Sequence, residues 1–359
     1  MPERTRVEAL ATDLAALSEW QRQVYLEPLE LGRIVATRFL PPDQQNIELG
    51  YVDASSLNAS AGRRSERYRV RIHLAVAAIS HFVFNSLFRH PGLLPNIGSF
   101  LPTDRFGVFD NGIPTSLPQG VPAERAAAHL VAISKPSSDE RAALAAIATR
   151  IALSFCILHE VAHILNGHAR YAALNFEEAE IMEFLPGHLQ SASELALRRV
   201  WEYEADKTAA AFLVQWLATD SNLRTHVREL LGRGVERNLL WLAGFSLRVL
   251  FQLLAQVKRE TPQAVHASPR VRSEIVQVAM NYTNRKVRAA QREKLLIASH
   301  GHADALWMIL VSGSEASADG SPTDTVLSSM DELEDLLVAK RSEYEALAYL
   351  TASPQGKPD

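Results

Sequence analysis

Apolar positions recur with a helical period over most of this chain and with a strand period over one short part of it. Residues 5–40 carry a helical pattern that stops at the two prolines of PPD, because proline lacks an amide hydrogen and clashes with the preceding turn. Tyr68, Val70, Ile72 and Leu74 then alternate with polar residues, the two-residue period of a half-buried strand. Two or three strands are therefore expected between 46 and 74. From His73 to about Phe88 the pattern turns helical again, and 89–122, rich in Pro, Gly and Asn, reads as a long irregular connection of the kind that often forms lids or docking surfaces. Helix resumes near Ser137, where SSDE resembles a capping box, and Ala143, Ile147, Ile151, Phe155 and Leu158 continue an apolar face toward residue 163. Further helices are expected over 192–218, 236–258 and 270–297. The fold class is α+β, mostly helical, with a small N-terminal sheet. Its expected parts are an N-terminal helical segment (1–44), a main domain (45–311), a flexible linker (312–323), an acidic helix (324–349) and a disordered tail (350–359).

Composition narrows the function classes. The 37 Lys and Arg are balanced by 41 Asp and Glu among 359 residues, which is not the electrostatic footprint of a nucleic-acid binder. Cys156 is the only cysteine, so an internal disulfide is excluded; a cytoplasmic location fits, and the residue itself reads as a small buried hydrophobe. The N-terminal stretch has scattered charges where a signal peptide would have a continuous apolar run. Residues 239–257 are long enough to cross a bilayer, but Arg248 at their middle and Gln252 one turn later are costly in lipid. A buried core helix is the better expectation, with membrane association the lesser one.

The candidate chemistry lies in HEVAHILNGH, residues 159–168. On a helix, residues four apart differ by about 40° in azimuth and about 6 Å in height, so His159 and His163 share a face and can grip one ion. Glu160 sits about 100° round from His159, where it need not ligate and is free to act as a base. Zinc held by His, His and a carboxylate acidifies a water toward neutral pH, and a neighbouring glutamate can take its proton and pass it to a leaving amine. A third ligand is required. The extended pattern H-E-x-x-H-x-x-G-x-x-H fails, because Asn166 and Ala169 occupy its last two positions while Gly167 and His168 are each one place off. WEYEADKTAA, 201–210, is the better source: Glu202 and Asp206 share a helical face, so one can ligate while the other orients a ligand imidazole, most simply that of His159.

H-E-x-x-H followed by E-x-x-A-D-x-x-A resembles the gluzincin metallopeptidases, in particular the soluble catalytic core of the HtpX and CAAX-prenyl-protease type. The resemblance implies a zincin-type core with an active-site helix, Glu202 as third zinc ligand and Asp206 behind the ligands. VHASPRVRSEI resembles those families' H-P-P-x-x-x-R element, with the proline displaced to Pro269, and implies that His266 stabilises the oxyanion and that Arg272 supports the site. DASSLNASA resembles their N-A-x-A cleft strand, implying that Asn58 and Ala59 lie beside an extended substrate at a sheet edge. The families' clear membrane helices have no evident counterpart here. Lit-like phage-exclusion peptidases, mostly soluble chains with a central H-E-x-x-H, are the alternative relatives.

The sequence therefore points to a zinc-dependent endopeptidase acting on a protein or peptide. Its expected ligands are His159, His163 and Glu202, holding one zinc ion, with Glu160 as general base and His266 assisting. A non-catalytic metal-binding sensor or interaction module is the alternative, in which His168 or Glu204 would close the site as a fourth ligand. A helical scaffold without metal is the third. Tyr171 and Tyr203 are further candidates for donors to an oxyanion.

Overall fold

Long amphipathic and apolar segments separated by short breaks build a mainly helical structure around one small sheet. The computed structural model describes residues 19–64, 66–98, 113–176, 180–182, 191–258, 268–311 and 323–350. In chain order the first elements are α1 (Glu19–Phe39), β1 (Ile47–Val52), β2 (Ala59–Arg64), β3 (Arg67–His73), α2 (Leu74–Phe88) and α3 (Ala123–Ser134). There follow α4 (Asp139–Leu165), α5 (His168–Asn175), β4 (Glu180–Met182), α6 (Ala192–Thr219), α7 (Ser221–Leu231) and α8 (Val235–Lys258). The described chain ends with α9 (Pro269–Thr283), α10 (Ala289–Leu310), α11 (Thr323–Lys340) and two short 3-10 turns, Arg341–Glu343 and Glu345–Leu347.

The sheet order is β1-β3-β2-β4, with β1 parallel to β3 and β2 antiparallel to both its neighbours. Three of these strands lie between 46 and 74, where two or three were expected, and β3 is the one that carries the alternating pattern. The fourth, β4, is three residues long, too short to show a period. It changes one expectation: β2 is an inner strand, because Ser60, Ala61 and Gly62 pair with β4. The N-A-x-A stretch is therefore not an open edge over those residues.

Other departures have local causes. The pattern predicts one helix over 270–297, but it breaks after Thr283, where the Asn284 side chain accepts the amides of Lys286 (3.1 Å) and Val287 (3.3 Å). Such an Asx turn offers the backbone an alternative to the helical ladder. The cap of α4 is Ser138, one residue later than the SSDE pattern suggests; its hydroxyl accepts the amide of Arg141 and donates to Glu140 at 2.6 Å. The acidic helix closes at Lys340, nine residues short of the expected end, and gives way to the 3-10 turns. The expected linker over 312–322 and the tail over 351–359 lie outside the described residues. Three helices, α3, α5 and α7, have no counterpart in the pattern analysis; α7 buries only Leu223 and Val227.

Helix α4 is the axis of the molecule. From Arg141 to Leu165 every residue is buried except Ala143, Arg150 and Cys156, which are half-buried, the signature of a helix covered on all sides. Helices α1, α2, α6 and α8 pack around it. The α1 approach is close at Gly32, where a Cβ would run into Ile157 Cγ2. Among the described residues, two helices, α4 and α8, are long and apolar enough to cross a membrane, and 83% and 72% of their most apolar windows are covered by the protein itself. In α8, Arg248 binds Asp304 of α10 with both Nε (2.7 Å) and Nη2 (3.0 Å), and Gln252 donates to the same carboxylate.

Arg141 pins the connection after α2 to the start of α4. Only 1% exposed, it donates to the carbonyls of Phe88, His90, Leu93, Leu94 and Ile97 at 2.8–3.3 Å. Lysine keeps the charge but cannot reproduce that planar fork. Arg141→Lys is expected to cost about 2–3 kcal/mol, the penalty of leaving some buried carbonyls unsatisfied, which urea unfolding at pH 7 will read.

His81, fully buried on α2, lies 3.3 Å from the Tyr25 hydroxyl. Burial pulls its pKa from 6.5 to about 3. Between those values the unfolded chain binds a proton that the folded one refuses. This histidine's contribution to stability is thus complete above pH 6.5 and is lost as the pH falls from 6.5 toward 3, by up to about 1.4 kcal/mol per pH unit. His81→Leu should flatten the wild-type stability curve across pH 6 to 4; an unchanged slope would contradict this assignment.

Candidate metal centre

Three side chains from two helices converge beneath the sheet. His159 and His163, one turn apart on α4, and Glu202 on α6 are all buried, and their ligand atoms lie within 4.8 Å of one another. The two Nε2 atoms are 3.1 Å apart. Glu202 Oε2 is 3.2 Å from His159 Nε2, and its Oε1 is 3.4 Å from His163 Nε2.

This group is able to bind a metal ion. Two donors each about 2.0–2.2 Å from a tetrahedral zinc stand about 3.3–3.5 Å apart, close to all three separations. Charge points the same way. Among the described residues, the carboxylates of Glu160, Glu202 and Asp206 are all buried here, and clustered buried negative charge favours a cation.

Asp206, one turn beyond Glu202 and fully buried, holds His159 from behind, with Oδ1 2.9 Å from Nδ1. Arg272 on α9 grips Asp206 with two hydrogen bonds, Nε to Oδ2 at 2.8 Å and Nη2 to Oδ1 at 2.9 Å, and its Nη2 lies 3.7 Å from Glu202 Oε2. Such a bidentate fork fixes the carboxylate in both position and plane. Burial works against a charged His159, but its bonds to Asp206 and Glu202 outweigh that and raise its pKa well above the usual imidazole range. At His163 burial prevails and pulls the pKa down to about 4. Burial opposes a charged Asp206 too, and is outweighed by Arg272 and His159, so its pKa is lowered.

No protein family, no curated protein and no solved structure matches the chain.

Glu160 follows His159 on α4, is 2% exposed, and lines a pocket beside it. The pocket's other walls are chiefly apolar, formed by Ala59, Val76, Phe155, Leu250 and Leu254, with Asn58, Cys156 and Arg272 at its margins. Asn58 and Ala59 therefore reach the site's neighbourhood even though β2 is an inner strand. Cys156, expected in the core, is half-buried against this pocket. His266 lies outside the described residues.

Two candidates from the sequence fall away. Tyr203 is turned toward α11, where its hydroxyl donates to Glu334, and Lys207 joins the same carboxylate at 3.0 Å. Tyr171 packs its ring edge-on against Trp201 and Phe176. Neither residue lines the pocket beside Glu160.

His168 and Glu204 stand behind His163, where a fourth ligand would not be. The His168 Nδ1 is 3.1 Å from His163 Nδ1, and its Nε2 is 3.0 Å from Glu204 Oε2. Tyr344, in the C-terminal turns, donates to that same oxygen at 2.9 Å. Helical spacing does show that Glu204 leaves the Glu202 face, since two residues rotate a side chain by about 200°. Nothing in the local pattern pairs it with His168, five residues past His163, or with a tyrosine 140 positions downstream.

Proposed function

We propose that this chain is a zinc-dependent endopeptidase that hydrolyses a peptide bond of a protein or peptide substrate. The observation that carries this reading is the convergence of His159, His163 and Glu202 on one buried point, with Glu160 beside it at the wall of an apolar pocket. His159, His163 and Glu202 would hold the ion. When bound there, zinc supplies a Lewis acid that polarises a carbonyl and lowers the pKa of a water toward neutrality.

The chain's own residues do the rest. Glu160 accepts a proton from the attacking water and returns it to the leaving amine, a role that needs a carboxylate within hydrogen-bond reach of both. Asp206 accepts the Nδ1 proton of His159, which leaves Nε2 as the ligating atom and fixes the ring plane. Arg272 keeps Asp206 ionised and oriented. The apolar walls next to Glu160 exclude bulk water from the base.

The non-catalytic alternative needs a fourth protein ligand. His168 and Glu204, its candidates, are engaged with each other behind His163, so no observation favours it. The deciding experiment is elemental analysis together with a peptide-library assay. Purified, chelator-free protein should carry about one zinc per chain, as expected of a buried site whose metal binding is coupled to folding, and should cleave peptides only while zinc is present. Less than about a tenth of an equivalent would remove the metal reading. Stoichiometric zinc without cleavage of any peptide would favour a binding module.

A further inference from the structure

Resting on that metal reading, we propose that His168, Glu204 and Tyr344 form a positioning relay for the ligand His163, through which the C-terminal turns help to hold the metal site. Each imidazole in this relay has two nitrogens to account for. The Nε2 of His163 faces His159 and Glu202 at 3.1 and 3.4 Å, so its Nδ1 points away from the site and meets His168 Nδ1 at 3.1 Å. A ligating His163 must present a lone pair at Nε2 and therefore carries its proton on Nδ1. His168 must then accept at Nδ1 and carry its own proton on Nε2, which lies 3.0 Å from Glu204 Oε2. That carboxylate takes a second proton donor, the Tyr344 hydroxyl at 2.9 Å, and faces Arg341 Nη2 at 3.7 Å. Both imidazole hydrogen bonds run away from the metal and end on the Glu204 carboxylate, which Tyr344 meets from the other side. With both imidazoles neutral, this set of tautomers gives each relay nitrogen a matching partner and leaves His163 ready to ligate.

The relay is held in place by packing as well. His168 is fully buried, stacked on Trp201 at 5.3 Å and 16°, with the Tyr344 ring edge-on to it at 5.0 Å. Gly167 lets the chain turn from α4 into α5 at φ +86°, and a Cβ there would stand 2.7 Å from the backbone of Leu347. The amides of Tyr349 (2.7 Å) and Leu350 (3.2 Å) both bind the carbonyl of Leu165, the last residue of α4, which otherwise lacks a helical partner. Residues 341–350 therefore clasp the end of the metal-bearing helix and deliver Tyr344 to the relay.

The test is zinc affinity in the full-length chain, by competition with a chromophoric chelator, with the visible spectrum of the cobalt-substituted protein as a second readout. His168→Leu removes the acceptor behind His163 and should weaken zinc binding roughly 10- to 100-fold, the range for losing a partner of a ligating histidine. His168→Asn puts an amide oxygen near the place of Nδ1 and should recover most of that loss. Tyr344→Phe, which touches no metal ligand, should weaken zinc several-fold and shift the cobalt spectrum while leaving the melting temperature of chelator-treated protein within a few degrees. Should the leucine variant fail to fold, Tyr344→Phe and Glu204→Gln carry the test. Wild-type binding in Tyr344→Phe and Glu204→Gln, with an unaltered cobalt spectrum, would overturn the relay alone. A wild-type chain that takes up neither zinc nor cobalt overturns the relay and the metal reading together.

Discussion

Glu160→Gln is expected to leave zinc content and folding unchanged and to lower peptide hydrolysis by roughly 10²- to 10⁴-fold, the range for removing a positioned acid–base group. Glutamine has nearly the same shape as glutamate, so the pocket wall that Glu160 forms with Phe155 and Leu250 survives. What is lost is the ability to accept a proton and give it back. The prediction separates Glu160 from its neighbours, because His159, His163 and Glu202 act through the ion and their loss should empty the site. Zinc content by elemental analysis, melting temperature and turnover on one peptide, measured on the same preparation, decide it. Turnover retained in this variant would refute the role of Glu160, and a fall in zinc would recast it as a ligand. The variant has a further use: proteins cleaved in cells by the wild type and not by Glu160→Gln are the substrate candidates.

The metal group was legible because its information is local. His159 and His163 share a face at i and i+4, and Glu202 and Asp206 do the same on a second helix, so two short patterns describe four side chains whatever the rest of the chain does. Long helices such as α2, α6 and α8 were legible for the same reason, since an apolar period sustained over many residues leaves few alternatives. What escaped the pattern depends on contacts distant in sequence. The three-residue strand β4 exists because β2 offers it partners. Asn284 broke a predicted helix with its own side chain, a competition that apolar periodicity does not register. The link from His163 through His168 to Glu204 and Tyr344 joins four elements, and no single helix face contains it.

Asp206 is the residue at which stability and metal binding meet, and Asp206→Ala is expected to damage both. It leaves the guanidinium of Arg272, 3% exposed, with Glu202 Oε2 at 3.7 Å as its nearest remaining carboxylate on α6. Removing one partner of a buried ion pair typically costs about 3–5 kcal/mol, a large part of the roughly 5–15 kcal/mol that holds an ordinary domain together. The same change removes the acceptor 2.9 Å from His159 Nδ1 and should weaken zinc roughly 10- to 100-fold. A second substitution separates the two effects. In Asp206→Ala/Arg272→Met both members of the buried pair are gone, and methionine fills much of the arginine's volume against Phe251, over whose ring the guanidinium lies at 5.4 Å. Denaturant unfolding of the chelator-treated double variant should show at least half of the lost stability restored, while zinc affinity stays low because His159 still lacks its acceptor. If zinc affinity returned in step with stability, Asp206 would act on the metal only through the fold, and the ring of His159 would have to be held by packing between Phe155 and His163.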